Sequence, residues 1–565
     1  MGCPYSPAMA PSALLAALPP LPACPDGLLA GLPRLVPTWV LGLDEPRTLA
    51  GLARALVALS RREGGFAPLA AGLCIWAWQW RPLSKEFTDL LLAAEALSPF
   101  LPHKARATAA AMAALLPEAL PEAACREIVT SGEPRAIIRS LLPRISDPAE
   151  GLGWLAAATP LLNAAGRPEL AASLAAAHPW PEALAALPAR LAAERAFLFE
   201  APEAARSAVL ALDPDIFGLL RTYLLAELAA RQGETGTAAT LLAGLLKRLP
   251  WQVNLTLKLA ALAAPPAAAA DVPGDVAVCL YSWNKAALLD QTLHSLAASE
   301  LGGARLFCLD NGSSDATPEV LAAWTGRLGS RFTPVRLPVN VGAPSARNWL
   351  LALPEVAGAA WVAFLDDDVI LPPDWLTHLL AAARSRPDVG AVGCRITAGS
   401  PPHGLQSADY NLLPPPGREA SERLLVFDNC AGQLDFGLFS YARPCLSVSG
   451  CCHLLSRTSL TAAGGFDLRF TPTQFDDLDR DLRCLLAGFP AFYAGRLAVR
   501  HVQHSSLAKA QNSAAVGNVL GNRVKLEGKY TAEEVNRLYT ASQELLWADF
   551  KAACASVSEL VRKAP

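Results

Sequence analysis

The chain has 565 residues, with 48 Lys and Arg against 51 Asp and Glu, for a net charge of −3. That length exceeds one ordinary domain, and the balanced charge provides no global basic field, which excludes nucleic acid as the main partner. The 13 cysteines contain no Cys-x-x-Cys pair and read as thiols of a reducing cytoplasm rather than a disulfide framework. The start lacks a basic region followed by a long apolar core, and no apolar run reaches about 18 residues, so neither a secretion signal nor a transmembrane segment is expected.

Residues 1–264 are rich in alanine and leucine, with prolines at short intervals, and the pattern predicts an α-helical domain. Ala226 and Ala229 on one helix, Gly233 at a turn, Ala238, Leu242 and Leu245 on a second helix, and Pro250 after it resemble a tetratricopeptide repeat. Asn163 to Leu174 repeats the turn with Gly166 and Ala171, and a third trace ends at Pro214. Small residues at such positions let paired helices approach closely, and stacked pairs form a solenoid that can receive a protein partner. The run carrying Trp76, Trp78 and Trp80 reads as the core of a helical pair. Residues 265–274, PPAAAADVPG, form the clearest linker.

A strand-then-helix pattern follows. Asp275 to Tyr281 predicts a first strand, and Asn284 then precedes a helix with Leu288, Leu289, Leu293 and Leu296 at helical spacing. Arg305 to Leu309 predicts a second strand, ending in Asp310, Asn311, Gly312, Ser313, Ser314 and Asp315, a polar turn able to cap the next helix. Phe332 to Leu337 predicts a third, followed by Asn340, Gly342 and a helix carrying Arg347 and Asn348. The fourth, within Val362 to Val369, runs into Asp366, Asp367 and Asp368. Polar residues thus recur on one rim of a parallel sheet, where ligands collect beyond the strand ends. Two carboxylates one residue apart there can hold Mg2+ or Mn2+ together with diphosphate oxygens.

Seven pieces in order, Asn284, DNGSSD at 310–315, NVGAPSARN at 340–348, LDDDV at 365–369, GGFD at 464–467, DDLDRDLR at 476–483 and His501, make residues 275–505 resemble a family 2 glycosyltransferase with the GT-A fold, an α/β nucleotide-sugar-binding domain with a mostly parallel central sheet. The resemblance implies transfer of a sugar from a nucleotide-diphosphate donor, a UDP-sugar first, to an acceptor hydroxyl. It implies metal ligation by Asp366, Asp368 and His501, with Mg2+ or Mn2+ acting as a Lewis acid on the departing diphosphate. Asp366 would also approach the ribose, Asp310 the base or ribose, and Arg347 the base or diphosphate; Asn284 and Asn340 would line the nucleotide site. The acidic pair at a helix start, Asp476 and Asp477, would supply the base, with Asp477 preferred and inversion at the anomeric carbon as the outcome. His504 competes with His501 for the last role.

Two features depart from the family pattern. Tyr281 to Asn284 lacks the proline of the usual first turn, and Asp476 stands where glutamate is usual. The implied setting is glycan or cell-surface polysaccharide synthesis or protein glycosylation, with a glycan, lipid-linked or protein acceptor, in the cytoplasm or at the inner face of its membrane. A sugar nucleotidyltransferase is the alternative enzyme, but residues 281–288 contain no glycine and only Lys285 as a cation to cradle a triphosphate. A scaffold with a relic sugar-binding domain is the alternative without catalysis. Cys445, Cys451, Cys452 and His453 lack the spacing of common zinc sites and read as packing. Residues 400–445, rich in Pro, Gly and aromatics, are where acceptor selectivity is expected. Residues 506–565 predict a helical extension: its start resembles the tail of family members, and residues 531–563 read as one or two amphipathic helices.

Overall fold

The structure is a computed structural model that describes residues 39–42, 44–62, 64–264, 271–414, 423–428, 430, 432–502 and 513–564. Linker residues 265–270 and His504 lie outside the described residues. The described residues divide into two compact units: one lies within 264–433 and 438–553, the other within 39–263 together with Leu434–Gly437 and the described residues from Cys554 onward.

The second unit is all-helical, with 13 α-helices from Pro46–Ser60 to Val253–Ala263 among the described residues. Many begin with proline in their first turn, where its fixed φ suits the helix and its missing N–H costs nothing. Sequential helices pack on one another, and Pro214–Arg231 also packs against Ala67–Trp80 and His103–Leu115. An open solenoid touches only its neighbours; here the array closes on itself. Trp76 and Trp78 are buried, with Trp78 stacked on Phe217. Phe217 has non-helical φ and ψ inside its helix, and the buried Gln79 answers the resulting kink by donating to Ile216 O and accepting from Leu220 N–H.

The other unit is built on a mixed sheet. Its strands are β1 Val276–Ser282, β2 Arg305–Asp310, β3 Phe332–Arg336, β4 Trp361–Leu365, β5 Val369–Ile370, β6 Ala391–Ala398, β7 Leu405–Ser407, β8 Tyr410–Leu412, β9 Val426–Asp428, β10 Ala442–Cys445, β11 Cys452–Ser456 and β12 Ala491–His501. The main order is β10-β12-β6-β11-β4-β1-β2-β3; β5 pairs with β12, β7 with β6, and β8 with β9 apart. β3, β2, β1 and β4 are mutually parallel, and β12 runs parallel to β6; antiparallel β11 sits between β4 and β6. Helices cover the parallel half, so β1 and β2 are almost continuously buried instead of alternating. Val276, Val278 and Leu280 share one core with Leu289, Leu293 and Leu296 of the following helix. After β12, residues 513–529 form one helix and Ala532–Lys563 a single long one.

Candidate active site

β4 stops at Leu365 because the chain turns through Asp366, Asp367 and Asp368 before β5 resumes. The turn is held from both sides: Asp366 N–H donates to Cys451 O at 3.0 Å, and Val502 N–H to Asp368 O at 2.8 Å. The β5–β12 pairing sets His501 opposite Val369, next to Asp368. His501 Nε2 then lies 2.9 Å from Asp368 Oδ1 and 3.8 Å from Asp366 Oδ2. One donor atom from each of the three lies within 4.8 Å of the others.

The imidazole is oriented by a residue that the sequence did not single out. Gln406 accepts from His501 Nδ1 at 2.8 Å and donates to His501 O at 3.0 Å. β6 and β7 shift register between Ile396–Ser407 and Thr397–Leu405, so Gln406 is the extra residue of a bulge, a device that re-aims a side chain. The bond to Gln406 fixes Nδ1 as a donor and turns Nε2 toward the carboxylates. Burial works to lower the His501 pKa, but Asp368 and Asp366 outweigh it and raise it, and Nε2 becomes a ligand once its proton is given up. Two carboxylates and an imidazole suit a divalent cation such as Mg2+ or Mn2+, so the residues fit the metal that the resemblance implies.

Charge is concentrated here. Burial pushes Asp366 up to about 6, against the pull of His501 and Arg347. Burial also works to raise Asp368, but the hydrogen bond and charge of His501, with Lys285, outweigh it and hold this carboxyl below its ordinary value. Asp367 faces away from the trio: it accepts from Ser282 Oγ at 2.6 Å and pairs with Lys285 Nζ at 2.9 Å. Lys285 also reaches Asp368 Oδ2 at 3.0 Å.

Asp476 and Asp477 begin the helix Asp476–Leu486, after Phe475 in a left-handed conformation. The two acids differ in setting. Asp476 is buried and pairs with Arg347 NH1 at 2.6 Å, whereas Asp477 is partly exposed and accepts from Gly450 N–H at 3.0 Å. A Cβ on Gly450 would stand 2.6 Å from Asp477 Oδ2, so this approach requires glycine. Arg347 NH2 also lies 3.7 Å from Asp366 Oδ1, and its guanidinium sits between the Tyr281 and Phe466 rings. Arg347 therefore bridges the metal-competent carboxylates and the helix-start acids.

Asn284, Asp310 and Asn340 form a neighbouring loop cluster. Asn284, at φ 53°, accepts from Ser314 N–H, and its own N–H donates to Ser313 Oγ. Asp310 is buried, accepts from Ser313 N–H at 2.8 Å, and faces Arg336 Nε at 3.4 Å with an oxygen that has no hydrogen bond. Asn340 accepts from Asn311 Nδ2 and Gly342 N–H.

Residues 273–515 match the model of the family described as glycosyltransferase like family 2. This domain is a family 2-like glycosyltransferase domain. Its sheet is mixed and mostly parallel, as the resemblance to the GT-A fold implies. The glycosyltransferase domain is 29% identical over 238 residues to validoxylamine A glucosyltransferase of Streptomyces hygroscopicus subsp. jinggangensis (strain 5008), covering 40% of this chain and 54% of that protein. It is 30% identical over 131 residues to the O-antigen biosynthesis protein RfbC of Myxococcus xanthus, covering 22% of this chain and 9% of that one. The chain thus spans about half or less of the length of these relatives. Among solved structures, the mannosyltransferase PcManGT from Pyrobaculum calidifontis in complex with GDP-Man and Mn2+ is similar at 18% identity and TM-score 0.35, over 60% of this chain and 86% of that one. GalNAc-T7 with UDP, GalNAc and Mn2+ is similar at 13% identity and TM-score 0.36, over 50% and 54%.

Proposed function

We propose that the chain is a metal-dependent, inverting glycosyltransferase that moves a sugar from a nucleotide-diphosphate donor, a UDP-sugar first, to an acceptor hydroxyl. The observation that carries the reading is the convergence of Asp366, Asp368 and His501 donor atoms within 4.8 Å at the end of β4. Asp366, Asp368 and His501 Nε2 would hold Mg2+ or Mn2+, which when bound supplies Lewis-acid stabilisation of the leaving diphosphate. Asp310, whose buried Oδ2 makes no hydrogen bond, and the loops of Asn284 and Asn340 would receive the nucleoside. Asp477 is the better base of the pair because Asp476 is committed to Arg347. Arg347 would fix Asp476 and balance the charge between the two acidic groups. A relative named as a glucosyltransferase supports the reaction class.

The helical unit would serve as the docking module for the acceptor, a glycan, lipid-linked or protein substrate, or for a protein partner. Among the described residues, no helix is long and apolar enough to cross a membrane. Among the described residues, ten cysteines are buried, which supports a reducing, cytoplasmic setting.

The test is a panel of UDP-, GDP- and TDP-sugars scored for release of nucleoside diphosphate with and without chelator. Metal-stimulated release from one donor is expected, and Asp368→Asn should lower it by about three decades while leaving circular dichroism unchanged, since a Lewis-acid contact is worth several kcal/mol. Full activity in chelator sinks the metal-dependent reading.

A further inference from the structure

Lys285 occupies a position that helix chemistry disfavours. It is the N-cap of the helix Ala286–Ala297, and its side chain makes no cap bond. N-caps favour Ser, Thr, Asp and Asn, whose oxygens accept free N–H groups, and the positive end of the helix dipole repels a cation. The capping is done from another loop: Asp315 Oδ2 accepts from Ala286 N–H at 2.9 Å. The turn before Lys285 is also fixed independently, through the bonds of Asn284 to Ser313 and Ser314. The Lys285 side chain contributes to neither feature; only its backbone carbonyl takes part, accepting from Leu289 N–H. A residue that breaks a local preference without a structural return is expected where function retains it.

The acidic triplet holds Lys285. Its Nζ lies 2.9 Å from Asp367 Oδ1 and 3.0 Å from Asp368 Oδ2. An ammonium has three N–H donors, so two carboxylates leave one unused, and a side chain that is 35% exposed can present it to the open edge of the site. Asp368 is meanwhile shared, its other oxygen lying against His501. A divalent ion ligated by Asp366, Asp368 and His501 would share Asp368 with Lys285, which holds its other oxygen, and the ammonium's charge opposes the ion's. Asp367, anchored by Ser282, remains as a second mooring.

We propose that Lys285 is a resident counter-cation of the metal site: it competes with a free divalent ion for Asp368 and yields that carboxylate, keeping Asp367, when the ion arrives with a nucleoside diphosphate whose oxygens accept the released N–H. The inference rests on the metal-dependent donor reading above and adds a thermodynamic consequence. Metal and nucleotide then bind with positive coupling, and Lys285 is the source of part of it.

The test measures Mn2+ alone by electron paramagnetic resonance, then the tightest of UDP, GDP and TDP by calorimetry with and without Mn2+. The full-length wild type, Lys285→Met and Lys285→Arg are compared. Lys285→Met is expected to bind Mn2+ alone about fivefold more tightly, and to lose on the order of tenfold in nucleotide affinity at saturating Mn2+. Lys285→Arg, which keeps the charge, should stay close to wild type. Should Lys285→Met fail to fold, Lys285→Gln carries the same comparison. Unchanged or weaker Mn2+ binding in the folded neutral variant, or undiminished coupling, overturns the inference alone when the wild type binds both ligands. A wild type that binds neither overturns the proposed function, and this inference with it.

Discussion

Asp44 in the helical unit and Asp366 at the end of β4 are both pushed up to about 6, in each case chiefly by burial. Their surroundings separate them. Asp44 accepts from Gln252 Nε2, Asn254 Nδ2 and Trp76 Nε1, all neutral donors that occupy both its oxygens. Asp366 is met by Arg347 and His501 and by two like charges next to it in the chain. A raised carboxyl by itself therefore does not mark a site. What marks one is convergence of ionic groups of both signs with coordination capacity left over; Arg190 in the helical unit, by contrast, spends its guanidinium on Gln79 O, Trp80 O and Glu194.

The sharpest way to break this comparison is to remove the proposed base. Asp477→Asn should bind donor and metal as the wild type does, yet transfer sugar two to four decades more slowly, roughly the cost of losing a general base. Asp476→Asn should instead disturb Arg347 and, through it, Asp366, so donor affinity as well as rate should fall. Single-turnover kinetics with nucleotide titration separates the two. If Asp476→Asn is the purer rate mutant, the roles of the neighbours are reversed.

Features set by local sequence were legible from it. Strand runs ending in carboxylates, the Asp476–Asp477 pair at a helix start and the strand–helix alternation each depend on a few adjacent residues. What escaped depends on partners far apart in the chain. Nothing near His501 indicates that β5 would pair with β12 and bring it to Asp368. Gln406 sits in a short bulged strand without periodicity. Arg347 was expected near the base or diphosphate; that it joins Asp476 to Asp366 depends on partners distant in the chain. Lys285 was noted only as the single cation of its loop; its placement at a helix N-cap was the signal that could have singled it out. In the helical unit, the small-residue turns at Gly166 and Gly233 were readable and do adopt positive φ, whereas the packing of Pro214–Arg231 on Ala67–Trp80 is a long-range closure that no repeat pattern encodes.

A second prediction sharpens the comparison at the imidazole. Removing the bulge side chain with Gln406→Ala leaves every proposed ligand in place but frees the ring to rotate and to change tautomer. Loss of such an outer partner typically costs 10- to 100-fold in metal affinity, so Mn2+ titration should show a weakening of about that size while the melting temperature stays near wild type. Gln406→Glu, which can still accept from Nδ1, should recover most of the affinity. Equal weakening in both variants would point to disruption of β7 instead.

The smallest effect is expected at Asp44, where the shift has no proposed ligand to serve. Its folded-state value of about 6 lies above the ordinary aspartate value of 3.8, so between these limits the folded chain holds a proton that the unfolded chain has released. The stabilisation from this group is therefore full below about pH 3.8 and is lost as pH rises through about 6. Between pH 5 and 6 the change should be on the order of 1 kcal/mol, with the helical unit more stable at pH 5 as far as this group is concerned. Hydrogen exchange of amides in Ala67–Trp80 and Val253–Ala263, compared between wild type and Asp44→Asn, isolates the contribution from other titrations. The variant should be less stable throughout, because its amide nitrogen must face donors that now meet a carboxylate, and should lose this slope. A slope that persists unchanged in Asp44→Asn would assign the pH response to another group and remove Asp44 as the structural counterpart of Asp366.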